Sequence, residues 1–244
     1  SFLLSILFTL KGNKINLSFI RVNSVEKKRI NLIKKWFNYG FPLSIWFAVG
    51  LALNFFDRFF INYYLPSSEL GIYSGLQELI IRSFSFTLFP LTLALHPRIM
   101  KLWNQSKLQD VAKLIMHSIF LMISIGMIII FLVWMNIDII FFMLQKAIPE
   151  INTQSKILFM PLFSAGFLWQ LSFLSHKMLE LKEQTILMII AILPCLIINI
   201  IGNSYFLPKL GLIATAYSSF FSALIYFIIT SLHSIHSLNK IKMT

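Results

Sequence analysis

Polar residues in this chain are gathered into short stretches separated by long apolar ones. A membrane-crossing helix needs about 20 largely apolar residues. Six segments of that length and character stand at 40–65, 71–97, 114–136, 156–176, 185–207 and 210–232. The predicted fold class is therefore all-α, a polytopic transmembrane helical bundle with six complete spans. Ahead of them, Ser1–Leu10 (SFLLSILFTL) is apolar but only half a span. It has neither an initiating Met nor the basic region and small-residue cleavage site of a signal peptide, so it is expected to be the end of a helix whose start is missing. The chain then reads as the C-terminal part of something larger. The expected organisation is that helix end at 1–10, a basic cytoplasmic connection at 11–38, the six-helix bundle at 39–232 and a cytoplasmic tail at 233–244.

Short connections join the spans, at about Pro66–Leu70, Ile137–Ser155 and Pro208–Lys209 on one side of the membrane. Within Ile137–Ser155 the run Ile-Ile-Phe-Phe-Met-Leu is too short to cross, and a short interfacial helix is expected there.

Composition sharpens the picture. The 244 residues are 57% hydrophobic and 12% charged, against about 25% charged in ordinary soluble domains. Too few polar groups remain to cover a soluble domain, which excludes soluble-enzyme and disulfide-scaffold readings. The single cysteine, Cys195, lies in an apolar run and carries no redox information.

A net charge of +12 raises the question of nucleic acid, but the distribution answers it. The positives sit in the connections between spans, not interleaved over a solvated face. Sixteen Lys and Arg fall in one set of connections, from Lys11 to Lys242, and three (Lys146, Lys156, Lys209) in the alternate set. By the positive-inside bias the first set is cytoplasmic, with both flanks of the six-span region on that side. No nucleic-acid partner is expected. The basic connection suits anionic lipid head groups.

Charged residues inside a span are costly and mark functional candidates. Four stand out: Asp57 and Arg58 in the first span, Glu78 and Arg82 in the second. Counted from the turn near Ser67, Asp57, Arg58 and Glu78 lie about 15 Å deep at 1.5 Å per residue. Arg82 follows Glu78 at i+4, the favourable order for a helical ion pair. Asp57 and Arg58 are neighbours and cannot face each other, so at least one is expected to pair across to the second helix. Two readings compete: mutual neutralisation that locks the helices, or arginines lining a polar cavity for an anionic substrate with the acids in support. Arg suits phosphate because its planar fork donates paired hydrogen bonds and stays charged.

Prolines interrupt four of the spans, at Pro42, at Pro90 and Pro97, at Pro161 and at Pro194. Such breaks bend helices and, in transporters, shape midplane cavities. All five histidines (His96, His117, His176, His233, His236) fall near expected cytoplasmic ends. His233 and His236 have the i, i+3 spacing of a shared metal pair, but in a terminal segment no metal is expected, and no cofactor.

The stretch YGFPLSIWFAVGLALNFFDRFFINYYLPSSELGIYSGLQELI (Tyr39–Ile80) resembles the polysaccharide-biosynthesis flippases of the Wzx type, in the MOP superfamily that also holds the MATE drug exporters and lipid II flippases. The carrying residues are Tyr39-Gly40-Phe41-Pro42, Asp57-Arg58-Phe59-Phe60-Ile61 and Glu69-Leu70-Gly71-Ile72-Tyr73, with Pro97 closing the next helix. A weaker match, NIIGNSYFLPKLGLIATA (Asn199–Ala216), is similar to the family's penultimate-helix exit and its Pro-x-x-Gly turn.

The resemblance implies a twelve-helix fold of two six-helix bundles around a central cavity, with the spans here as seven to twelve. It implies flipping of undecaprenyl-diphosphate-linked oligosaccharide across the bacterial inner membrane by alternating access, coupled to an ion gradient, for O-antigen or capsule. The implied partners are that lipid-linked oligosaccharide, membrane lipids, the missing N-terminal half and the polysaccharide polymerase machinery. Arg58 matches the family's Asp-Arg motif, and Arg82 is a cavity candidate by position alone. Asp57 and Glu78 are the supporting or ion-coupling candidates.

The rival in the same superfamily is a MATE-type multidrug or cation antiporter, which favours acidic cavity residues. A more remote rival is a membrane-embedded enzyme of glycan assembly. A polymerase or ligase needs a larger outer loop than the nineteen or so residues here, and acyl transfer needs a buried His with a polar partner. No catalytic residue is expected.

Overall fold

The computed structural model describes residues 22–147, 151 and 155–243. The expected helix end at Ser1–Leu10 and the connection up to residue 21 lie outside them. Among the described residues the structure is helical, with no strand. The helices are α1 (Val22–Tyr64), α2 (Ser67–Thr87), α3 (Phe89–Asn104), α4 (Leu108–Met135), α5 (Ile137–Ala147), α6 (Lys156–Ser175), α7 (Lys177–Leu181), α8 (Thr185–Leu210) and α9 (Leu212–Met243). Five are long and apolar enough to cross a membrane, and six spans result if α2 and α3 count as one broken span.

The chain divides into two compact units between Phe41 and Pro42. In the first, the described residues are helical and expose Trp36 and Phe37. The rings of Phe37 and Phe41 stack at 5.1 Å, one helical turn apart. Residues 22–38, expected as a connection, are thus helical from Val22 on.

In the second unit α6 lies at the centre. Its apolar residues face every direction (Leu158, Phe159, Leu162, Phe163, Phe167, Leu171 and Leu174 are all buried), as expected of a helix surrounded by others. Ile80 and Phe84 of α2 pack on it, with the rings of Phe84 and Phe163 4.7 Å apart. The α8–α9 pair packs on small residues. A Cβ added at Gly202 would lie 2.8 Å from Ser218 Cβ, so only glycine permits that separation. Close backbone approach is how membrane helices gain packing energy when lipid is as apolar as their side chains. The outward faces carry Phe, Ile, Leu and Met side chains, among them Phe120, Phe131 and Ile190, which belong against lipid.

Three boundaries differ from the sequence expectation. The second span breaks at Leu88, where Pro90 at the start of α3 has no N–H to continue the ladder, and α2 and α3 meet at 43°. Pro97 does not close that helix, and α3 runs through it to Asn104. The connection expected at Pro208–Lys209 is helical, and the chain turns at Gly211, whose φ of 67° and ψ of −157° suit glycine alone. Between 137 and 155 an eleven-residue helix, α5, does form. It buries Phe141 and Leu144 and exposes Ile139, Phe142 and Met143.

Candidate functional site

Four helices meet around Asp57. Its position on α1 is one that α2, α8 and α9 all reach, and it is 1% exposed. Tyr73 Oη of α2 donates to Oδ2 at 2.8 Å, and Ser219 Oγ of α9 donates to the same oxygen at 2.6 Å. On the other oxygen, Asn199 and Asn203 of α8 donate their amide N–H groups to Oδ1 at 2.8 and 2.9 Å. The two asparagines are one turn apart, so α8 presents both to the same point. A carboxylate only accepts hydrogen bonds, and here every donor is neutral. No arginine among the described residues pairs with Asp57.

The arginines form a separate group. Arg58 donates to Glu78 Oε1 at 3.0 Å, across from α1 to α2, and also lies 3.4 Å from Gln77 Oε1. Arg82 reaches Glu78 Oε2 at 3.3 Å along α2. The expected cross-helix and i+4 pairs both exist, but on one acid. Two guanidiniums share a single carboxylate, so this group carries an excess positive charge, while the compensating acid is sequestered in the neutral cage. Mutual neutralisation of all four residues does not describe the arrangement. The Arg82 side chain is 76% exposed and Arg58 32%, and Arg58 Nε is a buried donor without a partner among the described residues.

Asp57 opens onto a cavity of about 140 Å³. Its polar lining comes from Asp57, Gln77, Gln170, Asn199, Ser219 and Ser222, with Phe84 and Trp169 among the apolar walls. Gln170 Oε1 and Asn203 Oδ1 are buried acceptors with no partner among the described residues. Unmet acceptors in an apolar interior are expensive, and they mark where a cation, a proton donor or water is wanted.

Sequence reasoning missed Tyr73, Asn199, Asn203, Gln170 and Ser219. The signal for the asparagines is that two Asn at i, i+4 inside an apolar span are themselves costly in lipid, although neither carries a formal charge. His176 needs a larger correction. It was expected at an edge, yet it is 4% exposed. Tyr226 Oη lies 3.2 Å from its Nδ1, and Trp46 donates to that hydroxyl at 2.8 Å. The α6–α7 junction folds inward under α1 and α9 and carries the ring with it. The absence of a buried, partnered histidine therefore no longer argues against an acyl-transfer enzyme. His233 meets Gln184 at 3.2 Å within the helical α9, and no group of His, Cys, Asp and Glu able to hold a metal exists among the described residues.

A family model described as MatE matches residues 42–205, from the helix that carries Asp57 to the helix that carries Asn199 and Asn203. The chain belongs to the MatE family. MatE proteins are membrane transporters of the MOP superfamily, and the apolar helices make this one a multi-pass membrane protein. No curated protein and no solved structure matches it.

Proposed function

We propose that this MatE chain is half of an alternating-access flippase for lipid-linked oligosaccharide diphosphates in the bacterial inner membrane, serving O-antigen or capsule assembly. The observation that carries the reading is the division of charge. Arg58 and Arg82 share Glu78 and leave one positive charge over, with Arg58 3.4 Å from Gln77, a residue of the cavity wall. A diphosphate cannot cross hydrocarbon unaided, and a partly basic, water-accessible surface is its physical requirement. In this reading six further helices supply the opposite wall, and no covalent chemistry is performed.

Asp57 is the coupling site in the same scheme. A buried carboxylate with only neutral donors carries an uncompensated charge, which a cation or a proton can relieve. Turning over the Asn199 or Asn203 amide would present a carbonyl oxygen to the same spot, alongside the unpartnered Gln170 Oε1 on the cavity wall. Hard cations prefer such oxygen sets. Loading one there removes the repulsive cost of the charge and favours whichever state keeps α1, α2, α8 and α9 together.

Deleting the parent gene and asking which leaflet holds the lipid-linked oligosaccharide tests the reading. Accumulation on the cytoplasmic side, with surface polysaccharide lost, is the expected result. Normal surface glycan with altered sensitivity to cationic drugs would instead support the second reading, a MATE-type antiporter. The acid held apart from the arginines at Asp57 is the feature that favours that alternative.

A further inference from the structure

At the end of the bundle where α3 turns into α4, a groove separate from the Asp57 cavity runs between the two helices. Arg98 and Leu102 line it from α3, one turn apart, and Asp110, Lys113, Leu114 and His117 line it from α4. None of the six lines the Asp57 cavity. The helices are held against each other beneath the groove by Ile99, Val111, Ala112 and Ile115, all buried. They reverse direction through Gln105–Lys107, with Ser106 at φ 56°.

The groove itself is mainly polar, with Arg98, Asp110, Lys113 and His117 among its six lining residues. Arg98 and Lys113 are exposed, and neither forms an ion pair with a described residue. His117 Nδ1–H donates to the Lys113 carbonyl at 2.6 Å, which fixes the ring over that turn. The same face of α4 continues away from the charged end with exposed Leu121 and Ile125 beside Met116 and Phe120. Cationic groups at a helix end, followed by an exposed apolar stripe, match a molecule with an anionic head and a hydrocarbon tail. A soluble anion would use the first feature alone, whereas a bilayer lipid lying against the outward face of α4 uses both. Asp110 is the one acid in the groove, in the first turn of α4, where it complements the free N–H groups of the helix.

We propose that the α3–α4 groove is a binding site for the phosphodiester headgroup of an anionic bilayer lipid, held by Arg98 and Lys113, with an acyl chain on Leu121 and Ile125. Basic pockets between spanning helices at the membrane boundary take such headgroups. The site is independent of the substrate assigned above.

The test places the full-length protein in phosphatidylcholine nanodiscs with and without phosphatidylglycerol, and measures thermal midpoint and retained lipid by native mass spectrometry. Phosphatidylglycerol should be retained selectively and raise the midpoint, with the preference fading in high salt. Arg98→Gln and Lys113→Gln should each weaken retention about fivefold. Asp110→Asn should strengthen it, and that gain also guards against variants that merely misfold. Lys209→Gln, at the opposite end of the bundle, should leave the preference unchanged. Equal retention of both lipids, an unaltered preference when Arg98→Gln and Lys113→Gln are combined, or reproduction of the stabilisation by inorganic phosphate in pure phosphatidylcholine would each overturn the proposal.

Discussion

At the scale of single residues, the two acids of the first spans do different work despite their similar depth. Glu78 is shared by Arg58 and Arg82, whereas Asp57 is enclosed by Tyr73, Ser219, Asn199 and Asn203. Asp57→Asn removes the charge at nearly constant volume. In the proposed scheme it should bring ion-dependent transport near background while helical content and monodispersity persist. Gradient-driven flux that survives the change would remove Asp57 from the coupling step. Arg58 should behave differently. Arg58→Lys retains charge and one donor toward Glu78, so Arg58→Ala should cost more transport in the full-length protein. Equal loss in both would point to a need for the guanidinium fork, and unchanged transport in both would retire Arg58 as a substrate contact. His176 is the counter-example at this scale. Its sequence position says edge, while the fold buries it against Trp46 and Tyr226.

At the scale of helices, periodicity and length decided existence and packing decided detail. Helices cover each predicted span, the second as the broken pair α2 and α3, because about 20 apolar residues in lipid satisfy their backbone groups most readily within a helix. Helix ends were less legible. The turn at Gly211 rather than at Pro208–Lys209 depends on which residue can adopt a backbone open only to glycine. The break at Leu88 depends on Pro90, which the sequence displays, but the 43° bend depends on what α2 and α3 each pack against. Helix contact also sets a stability prediction. An alanine at Gly202 would meet Ser218 Oγ at 2.0 Å and Cβ at 2.8 Å, and overpacking of this kind costs about 1–3 kcal/mol. Gly202→Ala should lower the thermal midpoint in detergent. Adding Ser218→Gly should recover more of the loss than adding Ser218→Ala, because the alanine keeps the offending Cβ. Identical recovery by the two would place the clash at the hydroxyl alone.

At the scale of the whole molecule, charge asymmetry predicts orientation. Arg98, Lys101, Lys107, Lys113, Lys177 and Lys182 lie around the α3–α4 and α7–α8 connections, while Lys146, Lys156 and Lys209 lie around the opposite ones. The single cysteine of these 244 residues, Cys195, is buried in α8, so thiols engineered here stand apart from it. A cysteine at Asn104 or Lys182 should react with an impermeant maleimide only after the cells are opened. A cysteine at Ser67 or Leu210 should react in intact cells. The reverse pattern would invert the topology and move the α3–α4 groove to the outer leaflet.

The helical, membrane-spanning character of the chain and its anomalous charges inside spans were legible in the sequence alone. Each of those follows from the cost of placing polar groups in hydrocarbon, which is additive along the chain and needs no knowledge of neighbours. Which charges meet follows from how the helices pack. Asp57 joins residues up to 162 positions away, and the cage exists because four helices converge there. Arg58, the adjacent residue, pairs instead with Glu78, on the α2 helix that also gives Asp57 its Tyr73 contact. Pairing between distant helices depends on their rotation and separation, set by contacts such as Gly202 against Ser218, and no local pattern encodes it.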